Sequence, residues 1–147
     1  MKKSLKTLAA VVLAALTMSL TGCTKDPSDL IIGTWQAYYS EVVSTFMGQT
    51  YTSTNNYENQ TSLTTFKKDG TFETSDTENG RTTTSNGTYV VKDNTLTMTF
   101  TEDNESYVES YVIAEINKND VTLTASESGT DEGVSYSVDI TFKLKKV

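Results

Sequence analysis

The chain has 147 residues, twelve basic and nineteen acidic, for a net charge of −7, with no histidine and a single cysteine, tryptophan and proline. That length serves one domain rather than two, and the acidic balance repels a nucleic-acid backbone, so no nucleic-acid partner is expected. Without histidine the commonest general base and metal ligand is missing, and no phosphate-cradling glycine loop or nucleophile elbow replaces it; no catalytic residue, metal or cofactor is expected.

Lys2, Lys3 and Lys6 form a positive head ahead of an apolar run from Leu8 to Leu20, 13 positions long. A bilayer needs about 20 residues, so the run reads as a secretory signal helix rather than a membrane span. It ends in Leu20-Thr21-Gly22-Cys23, which resembles the lipobox of bacterial lipoproteins. The resemblance implies cleavage of a signal peptide spanning 1–22 and lipid on the sulfur and new amino terminus of Cys23, tethering the chain to a membrane. The alternative is an ordinary signal that happens to end near a cysteine. Losing the three lysines leaves nine basic against nineteen acidic residues, a net charge of −10. Residues 23–30 hold Pro27 and no periodic apolar pattern, and read as a lipidated tether. Asp26 and Asp29 behind the cysteine resemble the surface-export signals of some Gram-negative lipoproteins. The expected location is the bacterial cell envelope, at the outer membrane, with its periplasmic and surface faces both left open.

From residue 31 onward threonine, valine and tyrosine dominate and no helical spacing persists, which is strand chemistry. In the segment 134–145, Val134, Tyr136, Val138, Ile140, Phe142 and Leu144 alternate with polar residues, so one face is buried and one is wet. Leu96, Met98 and Phe100 repeat the pattern, as do Val121, Leu123 and Ala125. Turn residues divide the rest at Lys68-Asp69-Gly70, Asn79-Gly80, Asp93-Asn94, Asp103-Asn104 and Asn119-Asp120. Eight strands are predicted: 32–47, 60–67, 71–77, 82–92, 95–101, 106–117, 120–126 and 134–145. The facing of 106–117 is ambiguous, and Asn86-Gly87 reads as a bulge or a splitting turn. Sequential antiparallel strands hide their edges by closing into an up-and-down barrel. Alternate joints are tight (68–70, 93–94, 118–119) and the others longer, which predicts a cup pinched at one end. The longest loop, 48–59, reads as a lid, a polar excursion or an extra hairpin.

Gly33-Thr34-Trp35 opens the first strand, and "FKKDGTF" and "GTYVVKDNTLTMTF" follow. Over residues 31–147 the pattern resembles the lipocalin-like (calycin-type) families; avidins carry a similar opening. The resemblance implies an all-β, eight-stranded barrel whose closed end is plugged by Trp35 behind Gly33. Animal lipocalins cover that tryptophan with an arginine near the end of the last strand, where this chain offers Lys143, Lys145 and Lys146. It also implies a non-catalytic barrel that binds a small, mostly apolar ligand. Candidate lining residues are Tyr39, Phe66, Phe72, Tyr89, Met98, Phe100, Val112, Leu123, Tyr136, Val138 and Ile140. The alternative is a barrel filled by its own side chains, an interaction module for an envelope protein or glycan. Glu102, Asp103 and Glu105, and likewise Asp131 and Glu132, lack the ordered spacing of a calcium loop and read as solvated acidic loops. Glu41, Glu109 and Glu115 are expected to face outward.

Overall fold

A computed structural model describes residues 25–102, 105–131 and 133–147. The signal segment and Cys23 lie outside them. Among the described residues one helical turn, α1 (Pro27–Leu30), precedes nine strands: β1 (Gly33–Phe46), β2 (Gln49–Asn55), β3 (Gln60–Phe66), β4 (Thr71–Glu78), β5 (Arg81–Lys92), β6 (Thr95–Glu102), β7 (Glu105–Ile116), β8 (Asp120–Asp131) and β9 (Val134–Lys146). The strands lie in the order β2-β1-β3-β4-β5-β6-β7-β8-β9, and β1 also pairs with β9. Every pairing is antiparallel. Eight strands therefore close a barrel, as expected, and β2 is an addition to its wall.

The loop 48–59 holds β2, so its extra-hairpin reading is the one observed. Met47 and Gly48 both take positive φ, 52° and 76°, the geometry of a two-residue turn whose twist matches the strands it joins. Asn79-Gly80 turns the β4–β5 hairpin in the same way, at 50° and 76°. The predicted contrast between pinched and long-loop ends is corrected here: β4 and β5 are joined by two residues, and β8 runs on to Asp131. Apolar alternation stops near Ala125, but a backbone ladder needs no apolar face to continue, and β8 stays paired with β9 as far as Asp131↔Val134. Asn86-Gly87 neither bulges nor splits its strand, since Gly87 pairs in step with Phe72 and Phe100.

The core fills the end where β1 begins. Trp35, Phe72, Ile31, Leu96 and Val121 are fully buried there, with Phe66, Ile113 and Leu144 beside them. Part of the expected tether belongs to this base. Asp26 caps α1 by accepting from the Ser28 N–H at 2.9 Å, which holds its carboxyl below the usual carboxylate range. The turn delivers Ile31 under the barrel, where its carbonyl accepts a 2.6 Å hydrogen bond from Trp35 Nε1. The polar tip of the tryptophan is thereby satisfied, as burial requires.

Two irregularities decide which residues face inward. The β1–β9 register shifts between Ala37 and Tyr39, and the β7–β8 register shifts between Ile113 and Glu115. One extra residue reverses the parity of everything beyond it.

Candidate functional site

Above the packed base the barrel wall divides. The β1–β3 register runs only from Gly33↔Phe66 to Gln36↔Leu63, after which β1 takes β2 as its neighbour. On the opposite side, β7 and β8 are in register only from Ile116↔Val121 to Val112↔Thr124. The upper half is thus two sheets, β2-β1-β9-β8 and β3-β4-β5-β6-β7, hinged on a common closed base.

The expected lining residues separate into three groups. Phe66, Phe72, Met98, Phe100 and Leu123 are buried against one another as the floor. Tyr89 packs on that cluster and donates its hydroxyl to the Lys67 carbonyl at 2.8 Å. Tyr136, Val138 and Ile140 are half-buried on β9, facing inward in step with buried Leu144. Tyr39 and Val112 are corrections, because both lie on the outer face. The bulge in β1 puts Tyr39 opposite Lys143, whose ammonium sits 5.3 Å from its ring centroid. Val112 is 38% exposed, while its neighbour Ile113 is 3% exposed and pairs with buried Leu123.

Aromatic rings climb the inner wall from floor to mouth. Phe66 meets Tyr89 edge-on at 4.9 Å, Phe72 meets Phe100 edge-on at 4.8 Å, and Phe100 stacks on Tyr107 at 4.8 Å. Interleaved with them are two tyrosine–glutamate pairs. Glu109 pairs in register with buried Met98, so the expectation that it faces outward is corrected. Its carboxylate accepts from Tyr111 at 2.8 Å. Glu127 accepts from Tyr136 at 3.0 Å, and the Tyr136 ring crosses Gly129, where a Cβ would lie 2.8 Å from the phenol oxygen. In both pairs the residues meet because strand side chains two apart, or diagonal across a ladder, share a face. Burial is the main cause that raises the Tyr111 phenol well above its ordinary 10.0, with the Glu109 charge and hydrogen bond adding to it. The Glu127 hydrogen bond raises Tyr136. Sequence reasoning missed Glu109 and Tyr111 as interior residues because large apolar residues occupy both parities of β7, and missed Glu127 because apolar alternation on β8 stops near Ala125.

Polar clefts open at the mouth. One of about 560 Å³ is bordered by Tyr57, Gln60, Ser62, Asp76, Glu78 and Arg81. The other, about 450 Å³, lies between Thr54–Asn56 and Glu58–Gln60 with Glu78. Among the described residues no group of three His, Cys, Asp or Glu side chains could hold a metal ion.

At the base, Lys146 stands where an arginine would cover the tryptophan. Its ammonium lies 4.8 Å from the Trp35 ring centroid and donates to the Leu30 carbonyl at 3.2 Å. Gly33 makes room for it: φ is +130°, and a Cβ there would stand 2.6 Å from Lys146 Cε.

A closed antiparallel barrel with a tryptophan-sealed floor and an open, mixed-polarity upper half belongs to the class of cup-shaped barrels. More specifically, the chain belongs to the family of lipocalin-like domains, whose model matches residues 31–123, a family typically of non-catalytic binding proteins. It is similar to a crystal structure of a protein from Bacteroides eggerthii, at 14% identity and a TM-score of 0.50, covering 79% of this chain and 98% of that one. A lipocalin-like protein from Bacteroides uniformis is 13% identical, with a TM-score of 0.49 over 80% of this chain and 99% of that one. A redesigned β-barrel is 18% identical, with a TM-score of 0.41 over 82% and 94%. No curated protein matches the chain.

Proposed function

We propose that the protein binds a small amphiphile in the upper half of the barrel, with an apolar body and a neutral or cationic polar end. In this reading it does so at the bacterial cell envelope, held there by lipid on Cys23. The observation that carries the ligand reading is the change in burial along the inner wall. Side chains at the base are closed to water, whereas Tyr136, Val138 and Ile140 above them are half-open. Apolar surface left open in a concave site is where a ligand gains most. Glu109 and Glu127 set the charge, since Arg81 is the only basic residue in the strand segments that form that half. With Asp76 and Glu78 also bordering the mouth, a carboxylate ligand would add a further negative charge to acidic surroundings. Calorimetric titration with an alcohol, an amine and a carboxylate of the same alkyl chain tests this reading. The alcohol and amine should bind, and the carboxylate should bind more weakly, by a margin that salt narrows. If none of the three binds, the reading fails.

A second reading is an interaction module for an envelope protein or glycan, and the outer face of β4–β6 favours it. Thr71, Thr88 and Thr99 stand side by side there, and Thr77 and Thr82 share a 2.8 Å hydroxyl contact.

A further inference from the structure

We infer that β2 is a self-recognition edge, and that two copies of this chain join by antiparallel pairing of their β2 strands about a twofold axis at Thr52. The inference does not depend on the ligand reading. Among the described residues strand β2 pairs with β1 alone, so its other edge carries backbone donors and acceptors without a strand neighbour there, and all seven of its residues are exposed. Edges of this kind are normally guarded by lysine, proline, a bulge or a covering segment. Gln-Thr-Tyr-Thr-Ser-Thr-Asn has no charge and no proline, and its register with β1 runs without a shift from Ser40↔Asn55 to Phe46↔Gln49. Thr50, Thr52 and Thr54 lie on the outer face and Tyr51 on the inner one, opposite Ser44. Threonine and tyrosine favour the paired state of a strand.

Charge selects the occupant. Residues 42–57 form the longest uncharged run after residue 30, in a chain whose net charge is −7. Two copies approaching through the mouth bring Glu58, Glu78, Glu127 and Asp131 together, whereas the β2 edges meet with no like-charge cost. A neutral edge offers a charged foreign strand nothing to select it, while it complements itself: antiparallel pairing about one axis uses the same groups from both copies and closes at two. The apolar surface nearby is consistent with this, because Phe46, Met47 and Tyr51 at this hairpin are 50%, 70% and 58% exposed. The product would be a continuous eight-stranded sheet, β8-β9-β1-β2 of one copy running into β2-β1-β9-β8 of the other, with both cups left open.

In this arrangement Thr52 of one copy faces Thr52 of the other, so a charge placed there meets itself. Sedimentation of the full chain carrying Thr52→Lys, or Thr52→Glu, should show the dimer weakened by up to about fivefold, the effect of like charges directly opposed across a ladder. A one-to-one mixture of the two variants should restore the dimer, with lysine facing glutamate. Because Thr52 is exposed, both variants should keep the tryptophan emission of the parent, which guards against misfolding as the cause. Association through the amino-terminal apolar run would be indifferent to these charges. A parent chain that stays monomeric, a dimer insensitive to either charge, or a mixture that fails to recover would each overturn the inference. A monomer that instead pairs with an added strand-forming peptide would assign the edge to a foreign partner, and would overturn it equally.

Discussion

Trp35 is held from three directions, by the Ile31 carbonyl on its indole nitrogen, the Lys146 ammonium over its ring, and the clearance at Gly33 that lets Lys146 arrive. A truncation there removes the plug as well as its own buried area. Trp35→Ala should cost about 3–5 kcal/mol, a large part of a typical stability of roughly 5–15 kcal/mol. The native protein should emit at short wavelength, since its one tryptophan is 0% exposed; a water-like emission maximum would contradict that seat. The glycine and tryptophan were legible in the sequence, but the lysine that caps the ring was not, because three lysines crowd the end of β9 and only the register selects Lys146. Tyr111 shows the opposite case, a residue whose role no pattern announced. Its raised pKa means the folded state holds the phenol proton more tightly than the unfolded chain does. That contribution is complete below the ordinary tyrosine pKa and is lost as pH climbs past it. Urea midpoints should therefore fall from about pH 10 upward, and the fall should be shallower in Tyr111→Phe. An unchanged alkaline slope in that variant would remove Tyr111 as its source.

At the scale of elements, eight strands were legible because alternation and turn residues survive in a single sequence. The inward list was less so, because a bulge reverses facing without altering composition. Tyr39 continues the parity of Trp35 and Ala37 until the extra residue intervenes. Val112 and Ile113 are both β-branched and adjacent, and only pairing distinguishes them. The distinction is measurable. Ile113→Ala should destabilise by about 2–5 kcal/mol as a core truncation, while Val112→Thr should stay within about 0.5 kcal/mol, as surface changes do. Comparable losses in the two variants would show the β7 facing to be wrong. Strand β2 went unassigned for a related reason. Its turn places Met47 at positive φ, a conformation for which methionine gives no signal, unlike the Asn79-Gly80 turn that was readable at once. The tyrosine–glutamate pairs inside the mouth were hidden by the same ambiguity, since they become a site only when Glu109 and Glu127 are placed on the inner wall.

Across the whole molecule, charge is sorted along the barrel axis. Lys67 and Lys68 lie in the β3–β4 turn, Lys92 ends β5, Lys118 lies in the β7–β8 turn, and Lys143, Lys145 and Lys146 end β9. All seven are at the sealed base, where α1 also brings in the amino terminus. Asp26 and Asp29 at α1, and Asp69, Asp93 and Asp120 at the turns, lie at the same end and offset part of that charge. Glu73 stands 3.8 Å from Lys67 with both side chains about half exposed, a geometry that contributes little. Glu58, Glu78, Glu127 and Asp131 lie toward the mouth, against Arg81. A chain tethered from its base would thus present lysines to anionic headgroups and its acidic mouth to the solution, each lysine near the surface adding on the order of 1 kcal/mol within a Debye length. The tether and the field can be separated. Cys23→Ser should release the protein from the membrane fraction, and its retention there would end the lipid-anchor reading. The released protein should then bind anionic vesicles weakly at low ionic strength, let go in high salt, and ignore neutral vesicles. Substituting glutamine for Lys68, Lys118 and Lys145 together should abolish that binding while leaving ligand titrations unchanged. Binding that survives high salt, or that the triple substitution does not touch, would mean that the basic base plays no part in orienting the barrel.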